Sequence, residues 1–174
     1  MLIKLGPVGM PTEGSRFDEK GRSAEVYQLF ISYESDKVVG LQVQYIDEES
    51  SSLVLTDVYG KMSGSHFRAI KFDYPSEYIT WVKIHGSRYG VEWIAMKTNL
   101  GKSHGPFPSR NNPIDDYMLA TGYFLGEENQ FGGFHGTGDE TQGLRSLGVH
   151  VRPVSSLDAP VAGRVAGEEA LKVD

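Results

Sequence analysis

The sequence contains no cysteine, which excludes disulfide bonds and thiolate metal sites. No stretch approaches the roughly 18 consecutive apolar residues of a membrane-spanning helix, and the opening residues lack the run of about seven or more apolar residues that forms a signal-peptide core. We therefore expect a protein without a membrane span that stays in the cytoplasm, or in the cytoplasm and nucleus.

Positive charge and helical periodicity are also scarce. The formal net charge is −6, and the lysines and arginines are dispersed along the chain. Such a chain offers no basic surface to a phosphate backbone, so we expect no nucleic-acid partner. Nowhere before Pro153 do apolar residues keep a helical period long enough to predict an amphipathic helix.

Glycine is abundant, with 21 residues spread between short runs of β-branched and aromatic residues or of alternating apolar and polar residues. Both kinds of run are typical of β-strands, and strict alternation indicates a half-buried strand. The predicted strands are 25–33, 38–46, 53–59, 66–72, 78–85, 91–98, 117–125, 131–135 and 144–152. The residues through Arg22 are predicted to be a loop or an edge segment. Strands at this spacing indicate an all-β sandwich, barrel or prism.

The chain length of 174 residues is that of one domain, which we assign to residues 1–152. Residues 153–174 are poor in aromatic residues and rich in Ala, Gly, Val and Glu. This composition predicts a flexible C-terminal tail or linker. A short docking helix that tethers the domain to a protein partner is the alternative.

No group of residues has the spacing of a catalytic or metal site. The histidines do not repeat a metal motif and are predicted to be isolated strand or loop residues; they are His66, His85, His104, His135 and His150. Asp73 and Glu77 flank a predicted turn, and Asp115 and Asp116 are adjacent, but none lies in a calcium-loop pattern, so solvated turn residues are expected. No serine lies in a nucleophile elbow or a phosphate loop. The sequence thus predicts no metal, no cofactor and no enzyme activity.

A glycine-rich segment from Gly132 to Gly143 is predicted to be a polar loop between two strands, and to be the working surface. Glycines let backbone amides approach a ligand closely, and carboxylate and amide side chains can bond to hydroxyl groups. That chemistry suits a sugar. The same composition is also typical of an ordinary long hairpin loop, so the segment alone leaves both interpretations open.

Three ordered segments resemble the jacalin-related lectins: KFDYPSEYIT at 71–80, TNLGK with GPF at 98–107, and GGFHG at 132–136. GSRFD at 14–18 is similar to that family's Gly-x-x-Phe-Asp opening, and LGVHV at 147–151 is similar to its closing strand. The resemblance extends from about Gly6 to Val151. It implies an all-β fold, the β-prism I, in which three Greek-key sheets of four strands pack around a pseudo-threefold axis.

In that family the sugar lies between the opening glycine and a loop that reads Gly-Asp-x-x-Asp in many mannose-preferring members. Gly14 corresponds to the opening glycine, and Gly138 and Asp139 correspond to the Gly-Asp pair. The final aspartate has no counterpart. Counting forward from Asp139 puts Gln142 in its place, and counting back from the closing strand puts Arg145 there, because the loop is longer than in the family.

The resemblance implies a non-catalytic, carbohydrate-binding lectin that slightly favours mannose-type sugars. The implied sugar-binding residues are Gly14, Gly138, Asp139, Glu140, Gln142 and Tyr89, with Asp139 or Glu140 in the missing acidic role and Tyr89 stacked on the sugar. A homo-oligomer is also implied, because linking weak sites raises avidity.

Two other interpretations remain open. The loss of one charge-assisted acceptor weakens sugar binding by about 1–3 kcal/mol. The domain is then a β-prism that has lost sugar binding and acts as a structural or protein-interaction module. Alternatively, it is a targeting module cut from a larger enzyme or toxin.

Overall fold

The computed structural model describes residues 1–19, 25–109, 120–154 and 157, which form strands and turns and no helix. None of these residues belongs to a helix with the length and apolarity to cross a membrane. The strands are β1 Ile3–Gly9, β2 Ser15–Asp18, β3 Glu25–Tyr33, β4 Val38–Asp47, β5 Ser52–Leu55, β6 Tyr59–Gly60, β7 His66–Lys71, β8 Ile79–Ser87, β9 Gly90–Thr98, β10 Ser103–Phe107, β11 Thr121–Phe124, β12 Phe131–Asp139 and β13 Gly143–Val151.

The strands form three antiparallel sheets. Sheet A has the order β1-β13-β12-β2, sheet B the order β5-β4-β3-β7, and sheet C the order β10-β9-β8-β11. In each sheet a central hairpin is flanked by one strand on either side. The short strand β6 also pairs with β4, so sheet B has five strands instead of four. Apart from that extra strand, the predicted arrangement of three four-stranded sheets is confirmed.

One apolar core lies between the three sheets. Leu41 and Val43 of β4 are fully buried while Gln42 between them is partly exposed, which confirms the alternation read from the sequence. Ile94 from sheet C and Leu147 from sheet A pack in the same cluster. Each such side chain contributes about 1.5–3 kcal/mol through burial. All three sheets thus depend on one another for their inner faces.

A buried carboxylate joins sheet A to sheet B. Glu19, directly after β2, is 3% exposed. It accepts hydrogen bonds from the backbone N–H of Phe134 at 2.6 Å, from the hydroxyl of Tyr59 at 2.7 Å and from the hydroxyl of Tyr45. The ring of Phe17 also stacks on Tyr59 with 4.0 Å between centroids. These contacts fix the edge strand β2 and hence the turn that precedes it.

The predicted boundaries agree best with the structure at β3 and β4. Strand β3 begins and ends where predicted, whereas the single strand predicted for 53–59 is wrong. The strand is interrupted at Thr56. Its backbone N–H donates to the carbonyl oxygen of Val43 in β4, and its hydroxyl accepts the N–H of Val43. Strand β10 was not predicted, since Pro106 and an irregular register hide its pattern. The opening segment supplies β1 and β2, both edge strands, in agreement with the edge-segment alternative.

The prediction of a long glycine-rich loop is wrong. Gly132 to Asp139 belong to β12, an inner strand of sheet A that pairs with β13 and β2. The glycines permit close packing: a Cβ on Gly136 would overlap the carbonyl oxygen of Ser146. Only residues 140–142 form the turn between β12 and β13.

Two sequence predictions fall outside the described residues. Asp115 and Asp116 lie there, and so does nearly all of the predicted tail, from residue 155 onward except Leu157.

Candidate functional site

Three turns from different parts of the chain meet at one end of sheet A. They are the Gly14 turn (residues 11–14, between β1 and β2), the 140–142 turn (between β12 and β13) and the 88–89 turn (between β8 and β9). Arg145 of β13 contacts two of these turns directly, and its carbonyl accepts the N–H of Met10 at 2.8 Å. The first residues of β13 therefore lie at the centre of the candidate site.

Gly14 and Gly138 lie against each other. Gly14 has a φ of +84°, and a Cβ added to it would lie 3.0 Å from backbone atoms of Gly138. The next residue, Ser15, pairs with Gly138 across the two strands. A side chain at position 14 would thus be strained and would separate the two backbones. Gly14 itself is exposed, so the surface beside this close approach is open to a ligand.

Asp139 uses part of its carboxylate to fold its own turn. Oδ1 accepts the backbone N–H groups of Thr141 at 2.9 Å and Gln142 at 2.6 Å. Glu140 and Gln142 are exposed on the same turn, and Asp139 is half-buried. The turn therefore presents carboxylate and amide groups to solvent, but one oxygen of Asp139 already has two donors.

Arg145 occupies the space between the Gly14 turn and the 88–89 turn. Its Nη1 donates to the carbonyl oxygen of Tyr89 at 2.6 Å, and its Nη2 lies 3.3 Å from the carbonyl oxygen of Arg88. Nη2 also forms an ion pair with the carboxylate of Glu13. The side chain of Arg145 is 10% exposed and that of Glu13 is 44% exposed. The most buried charge at this site is therefore a cation that donates hydrogen bonds and cannot accept them.

Tyr89 offers an aromatic surface at the edge of the site. Tyr89 is 62% exposed. The Arg88 guanidinium lies 4.8 Å from the ring centroid and donates to the Tyr89 hydroxyl at 2.6 Å. An exposed ring of this kind can stack on the apolar face of a sugar, and the neighbouring guanidinium adds positive charge.

The structure thus brings Gly14, Gly138 and Asp139 together and connects them to the Tyr89 turn through Arg145. Glu140 and Gln142 lie on the adjoining turn. The sequence offered one signal for Arg145, as one of the two residues in the place of the family's final aspartate. It offered none for Glu13, which is 132 positions away from its partner.

Glu77, predicted to be a solvated turn residue, is buried with 2% exposure, so that prediction is wrong. It accepts hydrogen bonds from the N–H of Asp73 and the hydroxyl of Thr98, and it pairs with Lys102 at 3.2 Å. Burial acts to raise the pKa of Glu77, but these three partners together hold it below its ordinary value. The group stabilises the fold locally and lies outside the site.

The prediction of isolated histidines is wrong for three of the five. The rings of His135 and His150 lie 5.0 Å apart, and His150 Nε2 lies 2.7 Å from a carboxylate oxygen of Asp18. His85 lies 3.1 Å from a carboxylate oxygen of Glu92. Within the described part of the chain, no three His, Asp or Glu side chains gather closely enough to hold a metal ion.

Comparison with known proteins gives consistent matches over nearly the whole domain. A family model described as the jacalin-like lectin domain matches residues 5–150. In Arabidopsis thaliana, the Inactive protein RESTRICTED TEV MOVEMENT 1 is 34% identical over 163 residues, which is 89% of this chain and 90% of the relative. Jacalin-related lectin 2 of the same species is 31% identical over 178 residues, which is 95% of this chain and 94% of the relative.

Known structures share the fold. Wild-type Malaysian banana lectin superposes with a TM-score of 0.69 at 20% identity, covering 88% of this chain and 100% of that chain. AcmJRL, a mannose-binding jacalin-related lectin from Ananas comosus, gives 0.66 at 20% identity and covers 88% and 99%. Artocarpin in complex with mannotriose gives 0.65 at 21% identity and covers 87% and 97%. At these identities the likeness establishes the β-prism I fold and says nothing of the ligand.

Proposed function

Because this chain belongs to the jacalin-like lectin domain family, we propose that it is a non-catalytic module that binds a glycan, with a mannose-type ring as part of the ligand. The proposed site lies between the Gly14 turn and the 140–142 turn. Its residues are Gly14, Gly138, Asp139, Glu140, Gln142 and Tyr89. The observation that carries this proposal is the close approach of Gly14 to Gly138 beside an exposed polar turn.

Each group has a definite part in the proposed site. The open backbone at Gly14 lets a sugar hydroxyl approach the main chain without a side chain in the way. Glu140 and Gln142 supply exposed acceptors from the turn, and the free oxygen of Asp139 supplies another. The exposed ring of Tyr89 can cover an apolar sugar face. Mannose is favoured because several structural neighbours are described as mannose-binding or as complexes with mannose-type sugars.

Calorimetric titration of the purified full chain with methyl α-mannoside and mannotriose tests the proposal. In Gly14→Ala the new Cβ would press on Gly138, so binding should be lost. Gly101→Ala is the matched control, since Gly101 also has a positive φ, +76°, but its Cβ would meet no atom within 4 Å. Absence of binding by the unaltered chain to any glycan at millimolar concentration, about −4 kcal/mol of affinity, would contradict the proposal.

A second candidate function is a β-prism that has lost sugar binding and acts as a structural or protein-interaction module. Two observations favour it: the buried charge is Arg145 in place of an acceptor, and Asp139 is partly used by its own turn. The relatives also include two proteins named for restricted movement of TEV and not for a sugar. The partner would bind through the C-terminal tail.

Affinity capture with and without residues 155–174 distinguishes the two functions. A partner that binds only when the tail is present, and that free mannose does not displace, supports the second function. A partner released by free mannose supports the first, as does a tail-independent interaction that Gly14→Ala abolishes.

We also propose a homo-oligomer in which β5 pairs with β5 of a second copy. This edge strand has exposed Leu53 and Leu55, at 52% and 53% exposure, and among the described strands it pairs with β4 alone. Every other edge strand in the described sheets contains a charged residue, a proline or a glycine, but Ser52–Leu55 contains none of them. A neutral, unprotected edge strand is suited to antiparallel pairing with an identical strand.

Sedimentation analysis of the full chain tests this assembly. A dimer should form, and Leu55→Lys should shift it to monomer because a lysine on an edge strand opposes pairing with another strand. Leu100→Lys, at an equally exposed leucine in a turn, should leave it dimeric. An unaltered chain that stays monomeric, or a Leu55→Lys variant that stays dimeric, would contradict the proposed interface.

A further inference from the structure

We infer that the glycan bound at the Gly14 site carries a carboxylate, as a uronic acid does, and that the Arg145 guanidinium binds this carboxylate in place of Glu13. The inference rests on the proposed function and specifies its ligand class. It follows from the donors of Arg145, the exposure of Glu13 and the charges around them.

Arg145 has one buried donor that no described residue accepts. Nη1 and Nη2 are held by the carbonyl oxygens of Tyr89 and Arg88, and Nη2 also contacts Glu13. The Nε–H is buried and has no hydrogen-bond partner among the described residues. Nε and Nη2 project parallel N–H bonds from one edge of the guanidinium, which is the edge that a carboxylate binds with both oxygens.

Glu13 contacts Nη2 but not Nε, and it is poorly protected from solvent. Its carboxylate contacts Nη2 through Oε2, and its side chain is 44% exposed on the Gly14 turn. Arg145 is 90% buried by the same measure and is oriented by two backbone carbonyls. The cation is therefore fixed, and its acceptor is an exposed side chain that a ligand can replace.

The positive charge of Arg145 determines which class of ligand can replace Glu13. A neutral sugar hydroxyl that displaced Glu13 would leave the buried guanidinium without a counter-charge, which is unfavourable. A sugar carboxylate restores the counter-charge and also satisfies Nε. Arg88 on the neighbouring turn adds a second cation.

Two carboxylates oppose an anionic ligand at this site. Asp139 is half-buried and Glu140 is exposed on the adjoining turn. The two backbone N–H groups bonded to Asp139 Oδ1 offset part of its charge. Glu140 is exposed, so its charge is screened by solvent and salt. The direct bidentate contact to Arg145 outweighs this screened repulsion.

The test compares two ligands that differ only in this group, methyl α-mannoside and methyl α-mannuronate, by calorimetry with the full chain. At low salt we expect the uronate to bind about tenfold more tightly, the size of one added charge-assisted bond. The preference should fall as ionic strength rises. Equal or weaker binding of the uronate would overturn the inference while leaving the proposed function in place.

Replacing Glu13 tests the contact at an exposed side chain and leaves the Arg145 side chain unaltered. Glu13→Gln removes the competing carboxylate, so the affinity for the uronate should rise about tenfold while that for the neutral mannoside stays nearly unchanged. Arg145→Lys keeps the charge but loses the parallel donors, and should abolish the preference for the uronate. Because that variant alters a buried residue, its folding is checked by circular dichroism, and Glu13→Gln decides the question if it unfolds.

The remaining outcomes are also decisive. If Glu13→Gln leaves uronate affinity unchanged while Arg88→Gln abolishes it, the uronate binds a surface cation and the inference is wrong. If neither ligand binds to the unaltered chain or to Glu13→Gln, and a wider glycan panel is also negative, the proposed function fails together with the inference.

Discussion

The buried carboxylate of Glu19 is expected to hold sheets A and B together, and the substitution Glu19→Gln tests this. Glu19→Gln retains the volume of the side chain but replaces one carboxylate oxygen with an NH₂ group that donates. Three donors converge on the carboxylate, from Phe134, Tyr59 and Tyr45. At least one of these three donors would then lose its acceptor.

The magnitude follows from those contacts. A hydrogen bond to a charged group contributes about 1.5–3 kcal/mol and a neutral one about 0.5–1.5 kcal/mol, so each bond that survives loses about 1 kcal/mol. A buried donor without an acceptor costs about 1–3 kcal/mol more. We therefore expect Glu19→Gln to lower the free energy of unfolding by about 3–5 kcal/mol.

Urea unfolding followed by tryptophan fluorescence measures this change. Glu140→Gln, on the exposed 140–142 turn, is the control and should change stability by less than about 0.5 kcal/mol. Tyr59→Phe should remove one of the bonds to Glu19, and the double variant should lose less than the sum of the two single losses. A loss below about 1 kcal/mol for Glu19→Gln, or strict additivity with Tyr59→Phe, would refute the reasoning.

Two further substitutions test other parts of the fold. The pKa of Glu77 is lowered in the folded protein from 4.5, so its charge contributes stability that is present above pH 4.5 and is lost as the pH falls through the folded pKa. Glu77→Gln should therefore be less stable at neutral pH, and its free energy of unfolding should fall less steeply as the pH is lowered. Urea unfolding at several pH values measures both effects. An unchanged dependence of the free energy of unfolding on pH would contradict a stabilising charge on Glu77. Gly136→Ala should cost about 1–3 kcal/mol of stability or prevent folding, because the added Cβ would overlap the Ser146 carbonyl. Gly122→Ala is the control and should cost less, since its Cβ would meet nothing closer than 3.7 Å. Equal thermal stability of the two variants would contradict this packing.

Much of the fold could be predicted from the sequence because strict alternation reports which face of a strand is buried. Strand β4 was found in this way, with Leu41 and Val43 inward and Gln42 outward. Strand β3 was found from its density of β-branched and aromatic residues. Alternation alone did not distinguish a prism from a sandwich or a barrel; the family resemblance did. The prediction from composition failed at β12, where the glycines were interpreted as a loop. Glycine is typical of loops, but it also lets neighbouring strands pack closely.

The candidate site was predictable only in part, for a different reason. Gly14 and Gly138 could be identified through the family resemblance, and the structure places them in contact. The ion pair of Arg145 with Glu13 joins two turns that are remote in sequence, and no local pattern indicates such a contact. The ion pair on which the inferred ligand preference rests was therefore visible only once the turns were positioned.

The central claim is that a glycan binds between the Gly14 turn and the 140–142 turn. The most direct measurement is a titration of the isotopically labelled full chain with mannotriose and with methyl α-mannuronate, followed through its backbone amide resonances. We expect saturable shifts at Gly14, Gly138 and Gln142 with at least one of the two ligands, and smaller shifts at Gly101 on a remote turn. Shifts confined to other residues, or none with either ligand at high millimolar concentration, would contradict the account.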